Sequence, residues 1–189
     1  MTLPPPVTEI LKTLLASLQD SLGENLVGLY LRGSLALGDF IPETSDLDIL
    51  AITETLVTET EFSRLLALRH HLDTLSNTYA QRLEIAYIDR KNLGRFEPGL
   101  RFPTLGQGEV LTWSEHRDNW ILERWTVREH GLVLFGPQPR PLIDPISPAE
   151  TTQAVRSHLQ DWADWANDLD DADWLLPLSH KVYVVETMC

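Results

Sequence analysis

The sequence predicts an α/β fold of the α+β kind: a small mixed sheet flanked by helices, followed by an incomplete helical C-terminal domain. Two observations lead to this prediction. Segments with apolar residues at helical spacing alternate with short apolar runs that are typical of buried strands. Apolar residues also make up 43% of the 189 residues, which is enough to bury a core and excludes a disordered acidic tail.

The first half of the chain supplies the sheet. Apolar residues recur every three or four positions from Val7 to Leu22, which predicts a helix that ends at Gly23. The elements predicted after this helix are a strand over 26–31, a short helical piece over 35–40, a strand over 46–52, a helix over about 59–75 and a strand over 82–88. Helices and strands in this order are typical of a mixed sheet.

The pattern changes beyond the third strand. Residues 89–110 contain Gly, Pro and Arg and predict a loop. A helix is predicted from Glu115 to His130, where Gly131 ends it. Residues 136–145 include four prolines, which are typical of a linker between domains.

A second domain is predicted after this linker. Ser147 and Glu150 have the spacing of a capping box, and Pro148 suits the first helical position, so a helix begins here. Its apolar residues continue at spacings of four and three and form a stripe that needs a partner surface. We therefore expect a first domain over residues 1–146 and the start of a helical domain over residues 147–189.

Composition excludes several classes of protein. The chain has 15 Lys and Arg against 28 Asp and Glu, a net charge of −13 at pH 7, which argues against a general nucleic-acid binder. Its single cysteine, Cys189, excludes a disulfide framework and a multi-cysteine zinc site. The sequence shows neither a secretory signal nor an apolar stretch of about 18 residues. We therefore expect a cytoplasmic protein without a membrane partner.

Two carboxylates stand at the start of the second predicted strand. Asp46 and Asp48 are two positions apart, so their side chains point to the same face. Two adjacent negative charges repel each other, and Mg²⁺ would resolve this because it binds carboxylates together with substrate phosphates. Gly33 and Ser34 follow the preceding strand, where the glycine lets a phosphate approach and the hydroxyl can hold its oxygens. Arg32 either takes part in this site or pairs with a nearby acid.

A third carboxylate, Glu84, lies on the third predicted strand. It shares a face with Ala86 and Ile88, and a charged residue in such an apolar strand is unusual. It could ligate a metal or act as a general base. Taken singly, a Gly-Ser pair or an Asp-x-Asp pair is more often structural, because Asp commonly caps turns. Their conjunction with Glu84, in this order along three strands, indicates a functional site.

These motifs carry a family resemblance. Residues 29–34 and 45–50 resemble the signature of the polymerase-β-like nucleotidyltransferase superfamily. More narrowly, the chain resembles the bacterial streptomycin and spectinomycin adenylyltransferases, over about Leu26 to the C-terminus. The supporting segments are 82–85, 128–137 and Leu178-Ser179. The resemblance implies transfer of AMP from ATP to a hydroxyl of an aminoglycoside, with release of pyrophosphate, and hence an antibiotic-resistance function.

The resemblance also implies roles for individual residues. The small-molecule substrate would sit between the two domains, in contact with Trp113 and Asp170. The remaining roles implied are Mg²⁺ binding by Asp46 and Asp48, contact with the ATP phosphates by Ser34, Ser45 and the Gly33 turn, and general base catalysis by Glu84. Members of this family continue beyond the Leu178-Ser179 helix, so we expect this chain to be truncated at its C-terminus.

Two other functions remain open from the sequence. The protein could adenylylate a protein, as small antitoxin-type nucleotidyltransferases do, or it could be an inactive nucleotide-binding remnant. We expect a monomer or weak dimer. Residues 158–189 hold seven acids and one base, a local charge of −6. This excess could attract a polycationic acceptor, or it could be a solvated helix face.

Overall fold

A computed structural model describes residues 3–168, 170 and 172–175 of the chain. The chain divides into two compact units, Met1–Pro145 and Ile146–Cys189. The first unit contains α1 (Pro5–Leu22), β1 (Leu26–Leu31), α2 (Gly33–Leu37), β2 (Leu47–Thr53), α3 (Glu59–Asp73), β3 (Leu83–Asp89), α4 (Arg90–Leu93), β4 (Arg101–Leu105), β5 (Thr112–Glu115), α5 (Asn119–His130) and β6 (Leu132–Phe135). The second unit contains α6 (Pro148–Asn167). Short 3-10 helices cover Gly23–Asn25, Thr78–Arg82 and Ala172–Leu175.

The first unit is built on a six-stranded mixed sheet with the strand order β5-β4-β3-β2-β1-β6. The central strands β2 and β3 are parallel and are joined by α3, whereas the other neighbouring strands run antiparallel. In the parallel pair, Leu47 lies beside Leu83, and Asp48 lies beside Glu84. The register therefore brings two carboxylates from separate strands side by side.

The two faces of the sheet differ in chemistry. One face forms the main hydrophobic core with α1 and α3, and the core residues of β2 and β3 on this face include Leu47, Ile49, Leu83 and Ile85. Because side chains alternate along a strand, Asp48 and Glu84 point to the opposite face. An apolar core on one side thus fixes which way the acidic side chains point.

The second unit begins with a capped helix. The Ser147 hydroxyl accepts a hydrogen bond from the Glu150 backbone N–H, and the Glu150 side chain accepts one from the Ser147 backbone. Pro148 occupies the first turn of α6, so the predicted capping box is confirmed. The assignment of 147–189 as the start of a substrate-binding domain stays a prediction, and Leu178, Ser179 and Cys189 lie outside the described residues.

The predicted fold class is confirmed, and the main differences lie between residues 90 and 135. The predicted loop over 89–110 is wrong, because it contains α4 and β4. Glu115 ends β5 instead of starting a helix, and α5 begins at Asn119. The sequence pattern does not predict the strand β6. In the described part of the chain, no helix is long and apolar enough to cross a membrane.

Candidate active site

Three carboxylates meet at the start of β2 and β3. Asp48 and Glu84 are neighbours in the parallel register, and Asp46 precedes β2 by one residue. One oxygen from each of the three side chains lies within 4.8 Å of the others. The structure therefore brings together the three acids that the sequence singled out, and all three are partly buried.

A glycine turn closes one side of this cluster. Gly33 has a φ of +62°, and a Cβ at this position would overlap with Oδ2 of Asp48. Glycine is therefore required here both for the backbone conformation and for the close approach of the Asp48 carboxylate. The adjacent Ser34 Oγ is buried and has no hydrogen-bond partner among the described residues. Buried polar groups are normally paired, so this hydroxyl is available to a bound ligand.

Ser45 lies in the loop that leads into β2. Its Oγ accepts a hydrogen bond of 2.9 Å from the Ile41 backbone, and its backbone oxygen accepts one from Arg82. Arg82 also donates to the Pro42 backbone oxygen at 2.9 Å. The Ser45 hydroxyl thus shapes the loop that carries Asp46. Its contact with ATP phosphates stays a prediction.

Arg32 pairs with two acids at the edge of the cluster. Its Nη1 is 3.2 Å from Oδ1 of Asp48 and 2.6 Å from Oε2 of Glu123 on α5. Of the two possibilities that the sequence left open for Arg32, the pairing with a nearby acid is the one observed. Sequence reasoning missed Glu123, which is 91 positions from Arg32 on a helix with an ordinary charge pattern.

The electrostatics of the cluster favour a bound cation. Burial, and then the negative charge of Asp48, raise the pKa of Asp46 to about 6. Burial raises the pKa of Glu84 to about 7, and the charges of Asp48 and Asp46 act in the same direction. Arg32 lowers both values. Both carboxyl groups are therefore harder to ionise than exposed ones. A nearby positive charge would make their ionisation easier.

The residues around the cluster fit a divalent cation. The donor set consists of hard carboxylate oxygens, which Mg²⁺ prefers, and the Ser34 hydroxyl at the adjoining turn has no hydrogen-bond partner among the described residues. The close approach of Asp48 to Gly33 shows that the turn leaves no room for a side chain there. Asp46 and Asp48 are the residues that would hold the ion, with the Glu84 carboxylate beside them.

The two predicted substrate contacts, Trp113 and Asp170, lie on β5 and in the second unit, and their contact with a substrate stays a prediction. Trp113 is on β5 and packs against the core on the α1 and α3 side, where its ring stacks on Phe62 with centroids 5.6 Å apart. The structure does not bring it together with the carboxylates, which point to the opposite face. Asp170 lies in the second unit, is exposed, and donates its backbone N–H to Asp168 Oδ1 at 3.2 Å.

Comparisons with known proteins give a similarity at the level of structure. No protein-family model and no curated protein matches the chain. The structure is similar to the crystal structure of spectinomycin adenyltransferase AAD(9) from Enterococcus faecialis with ATP and spectinomycin. The TM-score is 0.67 at 17% sequence identity, and the match covers 85% of this chain and 69% of that chain.

Two toxin–antitoxin structures match with lower scores. One contains AMP-PNP and has a TM-score of 0.37 at 15% identity, covering 85% of this chain and 96% of that chain. The other is the tri-AMPylated Shewanella oneidensis HEPN toxin with MNT antitoxin, with a TM-score of 0.36 at 14% identity over 87% and 96%. TM-scores this low do not support an inference about this chain. The similarity to the spectinomycin enzyme shows that the chain shares the fold of that adenyltransferase.

Proposed function

We propose that this chain is a nucleotidyltransferase that moves AMP from ATP to a hydroxyl group of a small, aminoglycoside-like acceptor. One observation carries the proposal: Asp46, Asp48 and Glu84 converge beside the Gly33 turn, in a fold that it shares with an adenylyltransferase. An isolated acidic cluster would be weak support. An unpaired buried hydroxyl on Ser34 at the adjoining turn adds a group that can bind phosphate.

The carboxylates would hold Mg²⁺ together with ATP. When bound, the ion neutralises phosphate charge and stabilises the negative charge that develops during transfer. Asp46 and Asp48 would orient the ligand from the start of β2, and Glu84 lies beside Asp48 on β3. Gly33 allows close approach of a phosphate to the backbone, and Ser34 donates its hydroxyl proton to a phosphate oxygen. Ser45 keeps the loop before Asp46 in place.

Glu84 is the residue that would accept the proton from the attacking hydroxyl group. As the acceptor oxygen bonds to the α-phosphorus, the bond from that phosphorus to pyrophosphate breaks. The hydroxyl proton passes to the Glu84 carboxylate. Burial of Glu84 among other acids makes its carboxylate more basic than an exposed one, which suits this task.

Two observations support the proposed class of acceptor. The similar structure from Enterococcus faecialis contains spectinomycin and ATP. This chain carries a net charge of −13, and an acidic surface attracts cationic ligands. A hydroxylated, cationic small molecule fits both observations. Contact of the acceptor with Asp170 in the second unit is part of this proposal.

Incubation with labelled ATP tests the proposal. The purified chain receives Mg²⁺ and ATP labelled in the α-phosphate or in the γ-phosphate, with a panel of aminoglycosides in one set and a cell lysate in another. We expect the α-label to reach a small acceptor while the γ-label leaves as pyrophosphate. Glu84→Gln should reduce this transfer by about 100-fold or more, because a general base contributes about that factor.

The exposed Glu97→Gln is the matched control and should transfer at the wild-type rate. Label in a protein band from the lysate, with none in the small molecules, would favour protein adenylylation instead. Binding of ATP without any transfer would favour a nucleotide-binding remnant. Transfer of the γ-label would contradict nucleotidyl transfer altogether.

A further inference from the structure

The side chain of Arg32 is a buried cation at the edge of the carboxylate cluster. Arg32 is only 7% exposed, and its guanidinium lies 5.4 Å from the centre of the Trp120 ring. Its backbone N–H donates to the Asp48 backbone oxygen at 2.9 Å, so main chain and side chain both tie Arg32 to Asp48. A buried charge held this tightly needs its partners to stay in place.

Glu123 is the other partner of this cation. It takes the shorter of the two contacts, 2.6 Å against 3.2 Å, and both involve the same nitrogen, Nη1. The guanidinium is therefore shared between a carboxylate of the cluster and one outside it. Glu123 thereby limits how far Arg32 can move toward Asp48 and the other two acids.

The helix that carries Glu123 is firmly anchored. The neighbouring Arg124 is 1% exposed and donates to the backbone oxygens of Leu93 and Asn92 at 3.0 and 3.2 Å. Trp120, one turn before Glu123, stacks on His116 with ring centroids 3.6 Å apart. Glu123 therefore extends from a fixed part of α5, as a residue that positions another must.

We infer that Glu123 is a positioning residue for the proposed metal site, which it serves by holding Arg32 and, through Arg32, the carboxylate of Asp48. The inference rests on the proposed function, because it requires a divalent cation at the cluster. Groups that hold a metal ligand in place support affinity strongly without touching the metal. Without Glu123, Arg32 would be drawn to Asp48 alone and would compete with the cation for its charge.

Isothermal titration calorimetry of the full chain with Mn²⁺ alone tests this inference. Glu123→Gln should weaken Mn²⁺ binding by about 10-fold or more, the range seen when such a supporting group is lost. In a chain that already carries Arg32→Met, the same substitution should have little further effect, since its partner is gone. Glu129→Gln is the matched control, because Glu129 lies on the same helix, is equally exposed and pairs with Arg128 and Arg140.

The outcomes separate the inference from the proposed function. Mn²⁺ binding by Glu123→Gln at wild-type affinity would overturn the inference alone. An equal loss with and without Arg32→Met would also overturn it, because Glu123 would then act only through its own charge. Failure of the wild-type chain to bind Mn²⁺ would overturn both the inference and the metal site. If Glu123→Gln does not fold, Glu123→Asp replaces it, with the same loss expected because a side chain one methylene shorter would break the 2.6 Å contact with Arg32.

Discussion

At the scale of single residues, the close approach of Gly33 and Asp48 defines the candidate site. The sequence predicted both residues, because strand periodicity placed Asp46 and Asp48 on one face and the glycine at the preceding turn. It could not predict that the Asp48 carboxylate lies where a Cβ of residue 33 would be. That contact depends on how two strands come together, as does the pairing of Arg32 with Glu123.

Gly33→Ala should separate activity from stability. A left-handed backbone costs a non-glycine residue about 1–2 kcal/mol, and the new Cβ would also push the Asp48 carboxylate aside. The control is Gly99→Ala, since Gly99 has a φ of +82° and open space around it. We expect both variants to lose free energy of unfolding, Gly33→Ala more than Gly99→Ala, and only Gly33→Ala to lose AMP transfer. Transfer at the wild-type rate in Gly33→Ala would contradict the proposed geometry.

At the scale of elements, the sequence predicted the helices and strands whose apolar residues follow a regular spacing. The helix α1 and the strands β1, β2 and β3 do so. The strand β4 has only five residues, begins with an exposed arginine and contains Pro103, a residue that usually argues against a strand. It becomes a strand because it pairs with β3 on one side and β5 on the other. Local patterns cannot reveal such pairing.

A buried histidine, His116, contacts both Thr104 on β4 and Trp120 on α5. His116 is 2% exposed, its Nε2 is 3.1 Å from Thr104 Oγ1, and its ring stacks on Trp120. Burial lowers the pKa of His116 to about 3, and the positive charges of Arg124 and Arg32 act in the same direction. The folded chain therefore holds this imidazole neutral, whereas the unfolded chain protonates it near pH 6.5.

This difference makes the contribution of His116 to stability depend on pH. Because the unfolded state binds the extra proton, the contribution is complete above about pH 6.5 and declines as the pH falls toward 3. Between pH 7 and pH 5, the free energy of unfolding of the wild type should fall by about 2 kcal/mol relative to His116→Asn. Denaturant unfolding at both pH values measures it, with the exposed His70→Asn as a control. A constant difference between wild type and His116→Asn would contradict a neutral buried imidazole.

At the scale of the whole molecule, charge and fold indicate the same class of ligand. The net charge of −13 first served only to argue against nucleic acid. The structure locates three of these acids at one point, where their oxygens fit a divalent cation. The acids of residues 158–189 are counted from the sequence, and their attraction for a cationic acceptor belongs to the proposed function.

The most direct test of the account is the rate of AMP transfer by Asp48→Asn, measured with the acceptor that takes the label. Loss of a group that only supports a metal ligand costs about 10–100-fold, so loss of the ligand itself should cost at least about 100-fold. Asp39→Asn, at an exposed position before β2, is the control for removing one acid. A folded Asp48→Asn that releases pyrophosphate at the wild-type rate would contradict the central claim that these carboxylates form the nucleotidyl transfer site.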